Sequence, residues 1–350
     1  MPERRHTVVV TGGAGFVGGH FVHHLVRQGL DVAVIDDLSS GTLDNLPQKV
    51  VAHAFTRGDV CSRPILTDHV RRASHLIHFA SIVGIKRVIQ DPEAAIRTNV
   101  HAVSMISELC AAERVPFTYV SSSAVYQYGS PLAKTSCEEN SVTYSQGRHP
   151  ASIYGTSKAL GELICENNRR LHGLRCLIVR PFNLIGTRQS AAYGMVVPTF
   201  VRRALERLPL QIHGNGSQVR CFSDVRQAVE LLWMAITRTD WKGRVINLAT
   251  DDNVTSILQL ARLVQKVVGH SCRWDFVPHQ SAYGENFADV DYRRPSLGSL
   301  QKLVGTWRHI SLEETLREIV AFELVKLQLR GANLITRTET EAEPESMPSA

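Results

Sequence analysis

Short apolar runs alternate with longer segments of helical periodicity along the first half of the chain. The first run, Val8 to Val10, has three consecutive β-branched residues, which suit a strand buried on both faces of a parallel sheet. Further runs predict strands over residues 32–35, 50–55, 76–81, 117–120 and 174–179. Between several of these runs, apolar residues recur at helical spacing. This alternation favours an α/β fold built on a doubly wound parallel sheet.

The pattern changes after residue 185, where strands and helices no longer alternate regularly. We therefore expect residues 1–185 to form one unit and residues 186–330 a smaller lobe, some segments of which return to the first unit. From Thr336 the composition becomes polar and acidic with two prolines, so residues 336–350 are predicted to be a disordered tail. Longer helices are predicted over residues 92–113, 195–208, 254–268 and 312–324, and a short strand with a turn over residues 210–216.

A cluster of glycines follows the first strand at once. Gly13, Gly15 and Gly18 fit the pattern G-x-G-x-x-G, while Gly12 with the last two fits G-x-x-G-x-x-G. Helical spacing starts near Gly15, so the order is strand, glycine turn and helix, as a dinucleotide fingerprint requires. The next strand ends at Asp36, where a carboxylate would bind the hydroxyls of an adenosine ribose. A glycine turn alone would be weak evidence, but the complete order favours dinucleotide binding over a simple tight turn.

Two further groups of residues could carry chemistry. Ser121 to Ser123 follow the predicted strand over 117–120, at the strand end where such sheets place active sites, although a serine-rich turn is the alternative. Tyr154 and Lys158 lie four residues apart in a predicted helix and share one face. An ammonium there stabilises the phenolate, so the tyrosine can act as a base; a surface pair is the alternative. Between these groups, residues 127–150 form a polar loop of substrate-lid length.

Composition narrows the class of protein. The 350 residues are 43% hydrophobic and 21% charged, which is ordinary for a soluble globular enzyme, and no apolar run is long enough to cross a bilayer. The N-terminus runs into the first strand without room for a signal peptide, and the seven cysteines include no C-x-x-C pair. We therefore expect a cytoplasmic protein with reduced thiols. The 15 histidines form no zinc-binding pattern, so no metal is expected.

The formal charge of +6 allows two interpretations. A nucleic-acid-binding protein is one, but the basic residues are dispersed, with no dense run and no interleaved aromatic residues. A small anionic substrate explains the positive bias equally well. Arg220, Arg293 and Arg294 are isolated cations in polar stretches and could clamp phosphates. We expect a small-molecule substrate, and neither nucleic acid nor a membrane as a partner.

The combined motifs resemble the extended short-chain dehydrogenase/reductases, in their nucleotide-sugar epimerase/dehydratase group. The resemblance covers about residues 7 to 325, and its main motifs are the glycine turn with Asp36, the serine loop and the Tyr154/Lys158 pair. It implies a Rossmann-type NAD-binding domain over residues 1–185 and a smaller C-terminal lobe that binds a UDP-sugar. NAD is expected rather than NADP, because Asp36 would repel a 2′-phosphate. A homodimer is also implied, through a helix pair that includes the helix of Tyr154.

The resemblance assigns roles to individual residues. Tyr154 would be the catalytic base, Lys158 its partner, and Ser122 the catalytic hydroxyl, with Ser123 as the alternative. Cofactor contacts are implied for Gly12, Gly15, Phe16, Val17, Gly18, Asp36, Asp37, Ser39, Ser40, Gly41, Asp59, Val60, Phe79, Ala80, Ser81, Asn99, Ser121, Tyr154, Lys158 and Pro181. Substrate contacts are implied for Ser122, Ser123, Tyr154, Asn183, Val197, Gln211, His213, Arg220 and Arg293.

The leading interpretation is an NAD-dependent 4-epimerase of a UDP-hexose, of the UDP-glucose, UDP-glucuronate or UDP-N-acetylglucosamine type. In the serine loop, dehydratases of this group resemble Thr-Asp-Glu and the decarboxylases usually carry a Glu, whereas this chain has Ser122, Ser123 and Ala124. The enzyme alternatives are a UDP-glucuronate decarboxylase and a nucleotide-sugar 4,6-dehydratase. A regulator that binds NAD(P) without turnover is a rival from another class, but it would lack the Tyr/Lys pair.

Overall fold

A computed structural model describes residues 7–126, 139, 149–192, 194–251, 254–285, 287 and 289–340. For residue 85 and residues 330–340 it describes the backbone only. The predicted polar loop over residues 127–150 therefore lies almost entirely outside the described residues.

Strands and helices alternate in the order that the hydrophobic pattern predicts for the first half of the chain. The strands are β1 (Thr7–Thr11), β2 (Val32–Asp36), β3 (Phe55–Arg57), β4 (Ala73–His78), β5 (Phe117–Val120), β6 (Cys176–Pro181), β7 (Leu184–Ile185), β8 (Leu210–His213), β9 (Val219–Arg220), β10 (Ser223–Asp224), β11 (Lys242–Leu248), β12 (Thr255–Ser256), β13 (Trp274–Val277) and β14 (Tyr292–Arg293). The helices are α1 (Phe16–Arg27), α2 (Gln48–His53), α3 (Arg63–Arg72), α4 (Ile85–Gln90), α5 (Pro92–Ile96), α6 (Ala102–Ala112), α7 (Ser152–His172), α8 (Val196–Leu205), α9 (Val225–Arg238), α10 (Ile257–Val268), α11 (His279–Tyr283), α12 (Gly298–Val304) and α13 (Leu312–Thr340).

The central sheet of the described residues has seven strands in the order β11-β6-β5-β4-β1-β2-β3, and every neighbouring pair is parallel. The order reverses between β1 and β4, so a crevice opens there at the carboxyl ends of the strands. Successive residues of β1 enter different cores: Val8 and Val10 pack with α1 and α9, while Val9 packs with α3 and α6. The predicted α/β fold with a doubly wound, Rossmann-type parallel sheet is confirmed.

A third core lies in the C-terminal half, where α8, α10 and α13 pack around β8. Short strands border this core, in the sheets β12-β9-β14 and β13-β8. Two segments of this half return to the central sheet. β11 pairs with β6 along its edge, and α9 packs on α1, with Phe21 and Trp233 in edge-to-face contact. The assignment of residues 186–330 mainly to substrate binding remains a prediction.

Several predicted elements differ from the structure, and the strand predicted over residues 76–81 is observed at Ala73–His78. The strand predicted over residues 50–55 is wrong, because Pro47 starts helix α2, which buries Val50, and only residues 55–57 pair with β2. The helix predicted over residues 92–113 contains a π-helical turn at Arg97–His101. The last helix continues to Thr340, five residues into the segment predicted to be a disordered tail. No helix among the described residues is long and apolar enough to cross a membrane.

Candidate active site

The glycine turn between β1 and α1 is held by close backbone contacts. Gly12 has φ +70°, and a Cβ there would lie 2.4 Å from the backbone nitrogen of Ala80 at the end of β4. A Cβ on Gly18 would lie 2.2 Å from the carbonyl oxygen of Gly12. Gly15 is the N-cap of α1 and lies against that same oxygen. These contacts favour the triplet of Gly12, Gly15 and Gly18 over the one that begins at Gly13.

The N-terminus of α1 can receive an anion. Its N-cap makes no side-chain hydrogen bond, and no acidic residue lies in the first turn, which contains Phe16, Val17 and Gly18. Unpaired N–H groups and the positive end of the helix dipole therefore face the crevice, as a pyrophosphate requires. Gly41 packs on the same turn, since a Cβ there would lie 2.7 Å from the backbone of Ala14.

Asp36 lies buried at the carboxyl end of β2, beside the glycine turn. Its two carboxylate oxygens accept hydrogen bonds from the backbone N–H groups of Ala14 and Leu38, both at 2.9 Å. Burial raises the pKa of this carboxyl, while those hydrogen bonds oppose the change. Asp37, Ser39 and Ser40 follow as exposed residues. The glycine cradle, the uncapped helix and Asp36 together fit the two phosphates and the adenosine ribose of a dinucleotide.

The other predicted cofactor residues line the same edge of the sheet. The backbone N–H groups of Phe79 and Ala80 donate to the Thr11 carbonyl, which places the end of β4 beside the glycine turn. Asp59 is half-exposed after β3, and Val60 is buried beneath it. Pro181 ends β6, farther along the sheet. Their contacts with a cofactor remain predictions.

Asn99, within the π-helical turn, connects two elements of the site by hydrogen bonds. It is fully buried, and its amide oxygen accepts hydrogen bonds from the Ser81 hydroxyl and the Ile82 N–H, both at 2.9 Å. Its amide nitrogen donates to the Ile82 carbonyl at 3.2 Å and to the Ser157 hydroxyl at 3.3 Å. Asn99 therefore ties the end of β4 to α7, the helix that carries Tyr154 and Lys158.

Tyr154 and Ser122 meet where β5 and α7 adjoin. The phenol lies on the first turn of α7 and packs against Ile82, Val88 and Ala95. Burial raises the pKa of Tyr154, whereas a hydrogen bond from the Ser122 hydroxyl and the nearby positive charge of Arg293 lower it. Burial outweighs these two effects, so Ser122 and Arg293 are the groups that oppose the rise and favour the ionised form that a proton acceptor needs.

Lys158 lies one turn after Tyr154 and is buried, with 2% of its surface exposed. Its Nζ donates to the Val120 carbonyl at 2.9 Å and lies 5.2 Å from the centre of the Tyr119 ring. Burial lowers the pKa of this ammonium to about 7, and the charge of Glu162 opposes that change. Ser121 and Ser123, on either side of Ser122, are also buried.

The two arginines predicted to clamp a diphosphate are neighbours in space. They are 73 positions apart in sequence, yet Arg293 on β14 lies opposite Arg220 on β9 in register. Arg220 forms an ion pair of 2.7 Å with Asp289, and the two side chains are 11% and 30% exposed. Since Arg293 is also close enough to Tyr154 to lower its pKa, the arginine pair borders Tyr154.

The remaining predicted substrate residues differ in accessibility. Asn183 uses its amide nitrogen to donate to the Cys221 carbonyl at 2.7 Å, next to Arg220. His213 is half-buried and bonds the Tyr283 hydroxyl at 2.8 Å, and Asp289 is one of the charges near it. Gln211 is exposed two residues before His213, on the same face of β8. Val197 is buried in the third core, and its contact with a substrate remains a prediction.

Comparison with known proteins identifies the family of this chain. Residues 8–249 match the model of the NAD dependent epimerase/dehydratase family, which is well over half of the chain. The chain belongs to the NAD-dependent epimerase/dehydratase family. The predicted resemblance and the prediction of NAD as cofactor are therefore confirmed, as is an enzyme that acts on nucleotide-sugars at the level of the family.

The relatives and the solved structures are named for different reactions. The UDP-N-acetyl-alpha-D-glucosaminuronate decarboxylase of Bacillus cytotoxicus is 29% identical over 322 residues, 89% of this chain and 96% of that protein. UDP-glucuronic acid decarboxylase 1 of Arabidopsis thaliana is 32% identical over 324 residues, 91% of this chain and 70% of that protein. A solved structure, the UDP-glucose 4-epimerase of Thermotoga maritima with UDP-glucose, is 26% identical with a TM-score of 0.78, and the match covers 92% of this chain and 99% of that one.

Three residues of this epimerase/dehydratase site were not predicted from the sequence. Glu162 and Arg180 form a buried ion pair behind the serine loop, and Asp289 pairs with Arg220. The spacing offers one signal, because Glu162 lies four residues after Lys158 and thus shares the helix face of Tyr154 and Lys158. Its partner on β6 and the pairing of Asp289 depend on tertiary contacts that local spacing does not reveal.

Proposed function

We propose that the protein is a 4-epimerase of a UDP-hexose, acting by reversible oxidation of the sugar at C4. The supporting observation is the turn after β5, which presents Ser122 to Tyr154 and has Ser122, Ser123 and Ala124 in the loop where family decarboxylases usually carry a Glu. Alanine can neither donate nor accept a proton. Elimination and decarboxylation both require more acid–base chemistry near C5 and C6 than this turn offers.

The residues of the chain would mainly transfer protons and orient the substrate. Tyr154, hydrogen-bonded by Ser122, removes the proton of the C4 hydroxyl, and Lys158 stabilises the phenolate. NAD, when bound, supplies the redox chemistry at C4 and is regenerated within the cycle. Arg220 and Arg293 would hold the diphosphate while the sugar turns to present its opposite face. Tyr154 would then return the proton to the epimerised hydroxyl.

Decarboxylation of a UDP-glucuronate-type substrate is the second candidate. It is favoured by the Bacillus and Arabidopsis relatives, which are both decarboxylases. Their reaction would share Tyr154, Lys158 and NAD with the epimerase, because both begin by oxidation at C4. The two candidates therefore differ in product, while the residues that bind the nucleotide and start the reaction are the same.

Product analysis distinguishes the candidates. UDP-glucose, UDP-N-acetylglucosamine and UDP-glucuronate are incubated separately with the purified protein, and the products are identified by NMR. We expect at least one sugar to give its C4 epimer without net NADH. A UDP-pentose with release of carbon dioxide would establish the decarboxylase instead, and a 4-keto-6-deoxy sugar would establish a dehydratase.

Replacing Arg220 by alanine should weaken substrate binding far more than turnover. Charge-assisted hydrogen bonds to a diphosphate are lost, so KM for the nucleotide-sugar should rise about tenfold or more while kcat stays within about threefold. Steady-state kinetics of the variant measures both constants. Arg273→Ala is a matched control, since that arginine pairs with Asp275 at an exposed site of β13. A kcat loss with unchanged KM would remove Arg220 from the diphosphate site.

The exposed face of α7 supports the predicted homodimer. Leu160, Leu163 and Leu171 are 43%, 51% and 67% exposed, and they recur at helical spacing along this face. Leu163→Asp should convert the dimer to a monomer, because a carboxylate would be desolvated at the centre of the interface. Light scattering after size-exclusion chromatography measures the mass. Phe276→Asp, at another exposed apolar side chain, should leave the dimer intact. A monomeric wild-type protein would contradict the prediction.

A further inference from the structure

A buried ion pair lies directly behind the catalytic turn. Glu162 on α7 and Arg180 on β6 make two parallel hydrogen bonds, 2.9 Å from Nε to Oε1 and 2.6 Å from Nη2 to Oε2. The side chains are 8% and 2% exposed. Burying such a pair costs much of the attraction it gains, so its presence is weak evidence for a contribution to stability. The hydrogen bonds around it indicate a different role.

The pair binds both ends of the turn that carries Ser122. At the start of the turn, the Ser121 hydroxyl donates to Glu162 Oε1 at 2.5 Å. At its end, Arg180 Nη1 donates to the Tyr126 hydroxyl at 2.7 Å, and that hydroxyl donates to Asn247 Oδ1 at 2.8 Å. The three-dimensional position of Ser122 is therefore fixed from both sides.

The pair also belongs to the electrostatic surroundings of the catalytic helix. Glu162 follows Lys158 by one helical turn, and its negative charge raises the pKa of that ammonium against the effect of burial. The positive charge of Arg293 acts on Tyr154, where it opposes the rise in pKa that burial causes. The titratable and charged groups that surround Lys158 and Glu162 are Tyr154 and Cys165 on α7, His78 on β4, Tyr119 on β5, Arg180 on β6, and Tyr126 in the turn.

We propose that Glu162 and Arg180 are positioning residues, which hold Ser122 against Tyr154 and balance the charge of Lys158. Neither needs to touch the substrate, because they act through Ser121, Tyr126 and Lys158. The inference rests on Tyr154 being the base in the proposed function, but it does not depend on which sugar is the substrate or on whether the product is an epimer.

Glu162→Gln tests the charge. Without the carboxylate, Lys158 loses its proton at lower pH, so at neutral pH it no longer stabilises the phenolate and the pKa of Tyr154 rises. The acidic limb of the kcat profile should therefore move to higher pH, and kcat at pH 7 should fall at least about tenfold with KM nearly unchanged. Glu166→Gln is the matched control one turn later on α7, where the carboxylate pairs with Arg169 and Arg170 away from the site.

Tyr126→Phe tests the positioning. It removes only the hydroxyl that Arg180 and Asn247 bind, so kcat should fall several-fold while the acidic limb stays in place, because the charges are unchanged. Circular dichroism and bound NAD verify that both variants are folded and loaded. If Glu162→Gln does not fold, Tyr126→Phe decides alone.

The outcomes separate this proposal from the proposed function. An unshifted profile in folded Glu162→Gln, or a wild-type kcat in Tyr126→Phe, overturns the role of the ion pair. Full activity in Tyr154→Phe would instead overturn the proposed function itself, because the base would then lie elsewhere.

Discussion

Tyr154→Phe should lower kcat by at least about 10², the lower range for loss of a general base, while nucleotide-sugar binding changes little. The substitution keeps the ring that packs against Ile82, Val88 and Ala95, so the fold and the dinucleotide crevice remain. It removes only the hydroxyl group, whose pKa is raised by burial and lowered by Ser122 and Arg293. Single-turnover assays with calorimetric titration of UDP measure rate and binding separately.

The pH dependence strengthens that test. Wild-type kcat should rise with pH as Tyr154 loses its proton, since the ionised phenol is the base. The residual rate of Tyr154→Phe should lack this acidic limb. Turnover close to that of the wild type, or an unchanged profile, would show that another group accepts the C4 hydroxyl proton.

Gly18→Ala should abolish stable NAD binding. A Cβ there would lie 2.2 Å from the Gly12 carbonyl oxygen, which belongs to backbone that cannot move without opening the turn. The N-terminus of α1 would shift away from the pyrophosphate position, so affinity should fall at least about tenfold. Ultraviolet spectra of the nucleotide released on denaturation measure how much NAD copurifies, and titration of the stripped protein measures affinity.

Gly298→Ala is the matched control for this glycine. It lies at the start of α12, where a Cβ would meet no atom within 4 Å, so NAD content should be unchanged. Retention of wild-type NAD affinity by Gly18→Ala would show that the turn relaxes around a methyl group, and the glycine cradle would then not explain cofactor binding.

The sequence predicted best what local geometry determines. The glycine turn follows from contacts within about ten residues of chain together with one neighbouring strand, and the Tyr154/Lys158 pair follows from the repeat of a single helix. Consecutive valines in β1 likewise predict a sheet that is covered on both faces, because their side chains alternate between the two faces. Each of these patterns lies within a short stretch of the sequence, so it can be recognised without knowledge of distant contacts.

Tertiary contacts decided the features that were not predicted. The valines of α2 have high β-propensity, but a helix that buries Val50 beside the sheet overrides it. The partners of Glu162 and Arg220 are brought in from β6 and from the segment before β14. The exact reaction also escapes prediction from the fold, because proteins named as decarboxylases and a solved 4-epimerase both match most of this chain.

The return of β11 and α9 to the central sheet restricts how this protein can be divided. A fragment that stops at residue 185 would leave the edge of β6 unpaired and the apolar side of α1, including Phe21 and Leu25, without its cover. Such an open edge and bare helix face favour aggregation. During synthesis, the cofactor domain can therefore close only after the ribosome has passed residue 248. The C-terminal half is therefore not a separable cassette, because β11 and α9 complete the sheet and the helix layer of the first half.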